Sequence, residues 1–269
     1  AVRKTLFFEK IFDSNPKMNF NDYLEKMKST QQNILEYIND EEDPESKLQN
    51  IKDILTKNKI KDKKDELISF LCLLAKISNN HHRTPNFISK IERILEYLKD
   101  DLQKLFSNSE LLHIFRSSKR ILLFLIETKI LIIDKSIAKY LAAKYILYFR
   151  PEIQPFINKQ WLLGYETKNE NQEDFYEQRK IGENEHFICE LIRKDLNEDF
   201  IVYINKNNYQ FNSTIKPSIY ETNNFLLKKE KQNQNPTLIE YATFFGSIQI
   251  FNYLRNQGVV LSPSLWYYA

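Results

Sequence analysis

The chain has 269 residues, 42% of them apolar and 28% charged, with 39 basic against 36 acidic side chains and a formal charge of +3. That length can bury a substantial core, while four glycines leave little room for a turn-rich β architecture or for the glycine loops that cradle phosphates. The two cysteines, Cys72 and Cys189, read as reduced buried thiols of a cytoplasmic or nuclear protein, and they argue against a disulfide scaffold or a zinc module.

In chain order, NFNDYLEKMKSTQQNILEYIND predicts an amphipathic helix over 21–38, and Asp43-Pro44 supplies a cap and a first-turn proline for the helix in KLQNIKDILTK. Another helix starts near Asp65, where LISFLCLLAKI is apolar almost all round and is predicted to be deeply buried. Thr84-Pro85 opens FISKIERILEYLKDDLQKLF, whose Ile88, Ile91, Ile94, Leu95, Leu98, Leu102 and Leu105 form one stripe, read as core packing in preference to a coiled-coil seam. IFRSSKRILLFLIETKI, 114–130, breaks at Ser117-Ser118 and resembles any α-hairpin. The most apolar run, ILLFLIETKILIID, is interrupted by Glu127, Thr128 and Lys129 and falls short of the roughly 18 residues that a membrane span needs. These segments make a predicted N-terminal helical domain, 1–150.

A connecting insertion follows at 151–182, in a region carrying Trp161, Tyr165, Phe175 and Tyr176 among charges. ELIRKDLNEDFIVYINKNN, 190–208, fits a helical hairpin with Ile192 at a small-residue position, Leu196 at the turn, and Phe200, Ile201, Tyr203 and Ile204 on the second helix. A second insertion, 207–235, places Tyr209, Phe211, Tyr220, Phe225, Leu226 and Leu227 amid Asn, Lys and Glu. These aromatics are either partner anchors or pins that hold the loop to its own domain. The sharpest local pattern is TLIEYATFFGSIQIFNYLRNQG, 237–258. Thr237 and Glu240 have capping-box spacing; Leu238, Ile239, Ala242 and Phe245 fall at helical spacing; Gly246 ends the helix; and Ile248, Ile250, Phe251, Tyr253 and Leu254 build a second apolar face before Gly258.

Thr237, Ala242, Gly246, Ile250, Phe251, Leu254 and Gly258 occupy the Thr, Ala, Gly, Val-Val, Leu and Gly places of an ankyrin repeat. Glu240 stands where the family has His, Leu238 where it has Pro, and Ser247 where it has the His after the central Gly. With the Asn- and Lys-rich spacing around it, the chain is similar to a divergent, uncharacterised ankyrin-repeat family expanded in some protists. The resemblance implies an all-α fold in which 183–269 is a run of degenerate ankyrin hairpins, an α-solenoid, after the helical N-terminal domain. SLWYYA, 264–269, restarts the pattern 27 residues after Thr237, against a usual period of about 33. Leu265, Trp266, Tyr267 and Tyr268 then stand at an uncapped repeat edge, an expectation that the solenoid continues beyond 269 or that a partner covers it.

No GxGxxG, GxxxxGK[ST], GxSxG or HExxH occurs, and the carboxylate pairs Glu41-Glu42 and Asp100-Asp101 fall at helix ends, so the expectation is a chain with no catalytic residue, no cofactor and no metal. His81-His82 beside Arg83 lacks a zinc-type ligand pattern, and His113 and His186 are isolated. The lysines at 57, 59, 61, 63 and 64 are tempered by Asp62, Asp65 and Glu66, and a second cluster lies at Lys228, Lys229 and Lys231. The expected function is therefore a non-catalytic protein-interaction scaffold or adaptor whose partner is another protein, with Tyr209, Phe211, Tyr220, Phe225, Trp266 and Tyr267 as candidate contacts. The alternatives are a structural component of a large cytoskeletal or ribonucleoprotein assembly, and weak nucleic-acid binding through the lysine-rich loops.

Overall fold

The computed structural model describes residues 20–80, 86–158, 172–223, 225–227 and 235–269. Fifteen helices and no strand occur among them, with one isolated antiparallel bridge between Thr214 and Thr237. The helices are α1 (Phe20–Asn39), α2 (Pro44–Lys57), α3 (Lys64–Asn80), α4 (Phe87–Tyr97), α5 (Lys99–Leu105), α6 (Asn108–Phe115), α7 (Lys119–Glu127), α8 (Lys135–Tyr145), α9 (Arg150–Ile153), α10 (Gln172–Ile181), α11 (Phe187–Arg193), α12 (Asn197–Lys206), α13 (Leu238–Phe245), α14 (Ile248–Asn256) and α15 (Leu265–Tyr268). The chain divides into two compact units, 1–117 with 121–132 and 118–120 with 133–269.

In the first unit α1 packs on α2, α3 and α4, and α3 packs on α4 and α6. Its boundaries follow local chemistry. Asp43 caps α2 by accepting from the Ser46 N–H at 3.1 Å, with Pro44 in the first turn, as the sequence predicts. The long stripe is core: Ile91, Ile94, Leu95, Leu98 and Leu102 are all buried. It is broken at Leu98, whose N–H is shared between the carbonyls of Ile94 (3.3 Å) and Leu95 (3.2 Å), so α5 restarts as a separate helix. The carbonyls left over at the end of α1 go to a buried lysine, the Lys90 ammonium donating to Ile38 O at 2.7 Å and Asp40 O at 2.8 Å. The lysine run at 57–64 is largely neutralised in place. Lys57 pairs with Asp53, Lys63 with Glu66 and Lys64 with Glu110, while Lys61 lies over the Tyr97 ring.

In the second unit α11 packs on α12 and α13, α12 on α14, and α13 on α14 and α15. Each hairpin thus lays its first helix on the first helix of the next and its second on the second. Ala242, fully buried, lets α11 and α13 approach closely. The Thr237 capping box forms as predicted, with the Glu240 N–H donating to Thr237 Oγ at 3.3 Å and the Thr237 N–H donating to Glu240 Oε2 at 2.7 Å. Gly246 ends α13 in the left-handed region at φ 69°.

The preceding hairpin corrects the sequence alignment by one residue. Its left-handed turn residue is Asp195, at φ 52°, and Leu196 takes an ordinary φ of −80°. Leu191, whose carbonyl accepts the Leu196 N–H as that of Ala242 accepts Ser247, therefore holds the small-residue place assigned to Ile192. The sequence shows no glycine there because Asp tolerates this conformation and has a second use for its carboxylate. Its two oxygens each accept one of the first free amides of α14, Gln249 and Ile250, both at 3.0 Å. Ser247 Oγ donates back to Ile192 O at 2.5 Å, so the two hairpin turns are laced together.

The division between units falls before the expected boundary at 150 for a physical reason. Tyr148 donates to Arg179 O at 3.2 Å, Arg179 pairs with Glu152 at 2.8 Å, and Lys119 donates to Ile219 O, which places α9, with α8 packed on it, and the first turn of α7 in the second unit.

Candidate functional site

Two places in the second unit carry unusual side-chain chemistry. The first is its C-terminal edge. Val260 (80% exposed), Leu261 and Trp266 (87% exposed) stand in solvent, and Tyr267 is on the margin at 39%. Tyr268 turns inward and is buried, with Leu265 packed beside it against the hairpin core. Ser264, expected to repeat the capping role of Thr237, makes no cap. Its hydroxyl instead donates to Glu240 Oε1 at 2.5 Å, with the Ser262 hydroxyl at 3.5 Å from the same oxygen. Glu240 thus uses one carboxylate oxygen for its own capping box and the other to hold α15.

The predicted contact residues separate on this surface. Tyr220 is buried, 5.9 Å from the Phe175 ring. Tyr209 packs on Tyr203 at 5.9 Å, Phe211 on Tyr253 at 6.0 Å, and Phe225 on Phe244 at 6.3 Å and Tyr267 at 5.3 Å. Tyr209, Phe211 and Phe225 thus pack on the hairpins and Tyr220 on α10, which leaves Trp266, with part of Tyr267, as the outward member of the six. Among the repeat-defining residues, Ala242 and Leu254 are fully buried, and Gly258 is left-handed at φ 81°. Trp161, Tyr165, His81, His82, Lys228, Lys229 and Lys231 lie outside the described residues.

The second place is a buried polar centre that the sequence reading missed. Glu221 is 5% exposed; its Oε1 accepts the Asn223 N–H at 2.8 Å, and its Oε2 has no hydrogen-bond partner among the described residues. Burial pushes its carboxyl up to about 7, opposed by Lys119 and Arg193 and reinforced by Glu183. Lys119 is itself pulled down to about 8 by burial, with its ammonium 4.6 Å from the Tyr148 ring centre. Arg193 donates to Asn184 O at 2.9 Å and to Tyr241 Oη at 3.0 Å, and pairs with Glu183 at 2.8 Å. Burial raises the Tyr241 phenol far above its usual range and the Cys189 thiol to about 12, so neither is a base or nucleophile near neutrality. Arg179, 1% exposed, is sandwiched among Tyr148, Phe175 and Tyr176 at 5.2–5.6 Å.

A cavity of about 30 Å³ lies beside Glu221, between Asn184, Ser218, Tyr241 and Pro236. That volume suits a water molecule and is far too small for an organic substrate. No group of three His, Cys, Asp or Glu side chains gathers into a metal-type cluster among the described residues, and none of their helices is long and apolar enough to cross a membrane. Comparison with protein-family models, with curated proteins and with solved structures gives no match.

Proposed function

We propose that the chain is a non-catalytic protein-interaction scaffold built on ankyrin-type hairpins of an α-solenoid, with another protein as its partner. The observation that carries this reading is the layering of α11 on α13 and α12 on α14, laced through Asp195 and Ser247, with an apolar edge at Val260, Leu261 and Trp266 left in solvent. A large apolar side chain held 87% exposed beside other exposed apolar groups is the surface composition that partners cover. Both cysteines are free thiols, Cys189 buried and Cys72, against the expectation, only half-buried, and free thiols suit a reducing cytoplasm. Nucleic-acid binding is the less supported alternative, because Lys57, Lys61, Lys63 and Lys64 already have carboxylate or aromatic partners.

Affinity capture from the native cell with the unaltered chain and with a Val260→Ser/Trp266→Ser double variant tests the reading. The unaltered chain is expected to retain a recurring protein that the variant loses by about tenfold or more. Equal recovery by both chains, with both folded by circular dichroism, would remove the edge from the function.

A further inference from the structure

We infer that Ser262 is a phosphorylation site for a proline-directed protein kinase, and that its phosphoester releases α15 from the hairpin stack by placing a dianion against Glu240.

Val260, Leu261, Ser262 and Pro263 are four consecutive exposed residues without helix or strand. The N–H groups of Val260, Leu261 and Ser262 make no backbone hydrogen bond among the described residues, so the segment can enter an extended enzyme cleft at the cost of one turn bond, that from the Leu265 N–H to the Ser262 carbonyl at 3.0 Å. Pro263 after Ser262 removes the next backbone donor, which is the feature a proline-directed kinase selects. Catalysis transfers the γ-phosphoryl group of ATP to Ser262 Oγ; the hydroxyl proton goes to the kinase's base and ADP leaves.

The consequence comes from what faces Ser262. Its hydroxyl is hydrogen-bonded to the Ser264 hydroxyl and lies 3.5 Å from Glu240 Oε1, the oxygen that also accepts from Ser264, while Oε2 of the same carboxylate holds the Thr237 N–H and hydroxyl at 2.7 and 3.0 Å. Glu240 is buried, so it cannot swing into water to avoid a new charge. A phosphate of charge about −1.5 to −2 at Ser262 repels that carboxylate in a partly desolvated site. The cheaper escape is movement of 262–269, because α15 is a single turn held by Leu265, Tyr268, the Tyr267 ring against Phe225 and the Ser264 bond. The modification would thereby free the segment that carries Trp266, and it needs no assumption about a partner.

The test is to treat the purified chain with a proline-directed serine/threonine kinase, Mg²⁺ and ATP, locate phosphate by mass spectrometry, and follow hydrogen exchange over 264–269. Phosphate at Ser262, absent from Ser262→Ala, with exchange faster by roughly tenfold is expected. In Glu240→Gln, which keeps the capping-box oxygen and loses the charge, phosphorylation should accelerate exchange markedly less. Absence of phosphate at Ser262 while a control peptide is modified, unchanged exchange in the phosphorylated chain, or equal acceleration in Glu240→Gln would each overturn the inference.

Discussion

Two glycines in the second unit show how the same backbone requirement has different costs in different surroundings. Gly246 and Gly182 are both left-handed, at φ 69° and 73°, yet a Cβ at Gly246 would meet nothing within 4 Å, whereas one at Gly182 would meet the Thr222 side chain at 3.1 Å. Gly246→Ala should therefore cost only the conformational penalty, about 1 kcal/mol. Gly182→Ala should cost more, because Thr222 also bonds the Gly182 carbonyl through its N–H (3.0 Å) and hydroxyl (2.8 Å) and cannot withdraw freely. Urea midpoints of the two variants give the ordering. The buried pair Glu221 and Lys119 sets a pH dependence of definite sign. Glu221 titrates near 7 when folded against 4.5 ordinarily, so its contribution is present below pH 4.5 and lost as pH rises through 7. Lys119 titrates near 8 against 10.5, so its contribution is present above pH 10.5 and lost as pH falls through 8. Stability should pass through a minimum between about pH 7 and 8, and Glu221→Gln should flatten the acid side of that profile by on the order of 1–3 kcal/mol. Urea titrations at pH 5 to 10 measure both.

At the scale of elements, what the sequence reveals is what is decided within a few residues. Asp43-Pro44 and the Thr237, Glu240, Gly246 set are legible because a cap, a first-turn proline and a left-handed terminator each act on backbone groups one to four positions away. The break at Leu98 has no glycine or proline to announce it. The turn at Asp195 is hidden because the residue is chosen for a contact made across the stack, to Gln249 and Ile250 more than fifty positions later. Asp195→Ala should lose both bonds while keeping an unfavourable left-handed alanine, costing about 2–3 kcal/mol. Leu196→Ala, at a residue 41% exposed, should cost well under half as much. Comparison of their denaturation midpoints distinguishes a laced stack from two merely adjacent hairpins. The buried centre around Glu221 was illegible for the same reason, since Lys119, Arg193, Glu221 and Tyr241 are scattered over some 120 positions and share no motif.

For the whole molecule, the predicted all-helical character matches the fifteen described helices, and the two compact units divide near 132. Apolar periodicity locates helices, but which unit they join depends on contacts such as Tyr148 to Arg179 that periodicity does not encode. The 207–235 aromatics illustrate the same point, as composition alone cannot distinguish a ring that meets a partner from one that pins its own loop. Their inward packing concentrates the proposed contact on Trp266 and the residues beside it. The most direct measurement of that claim is photo-cross-linking in the native cell, with a photoreactive residue placed at Trp266 and, separately, at exposed Lys139 on α8. The scaffold account predicts one recurring protein adduct from position 266 and none of it from 139; the same adducts from both positions, or none from 266, would contradict it.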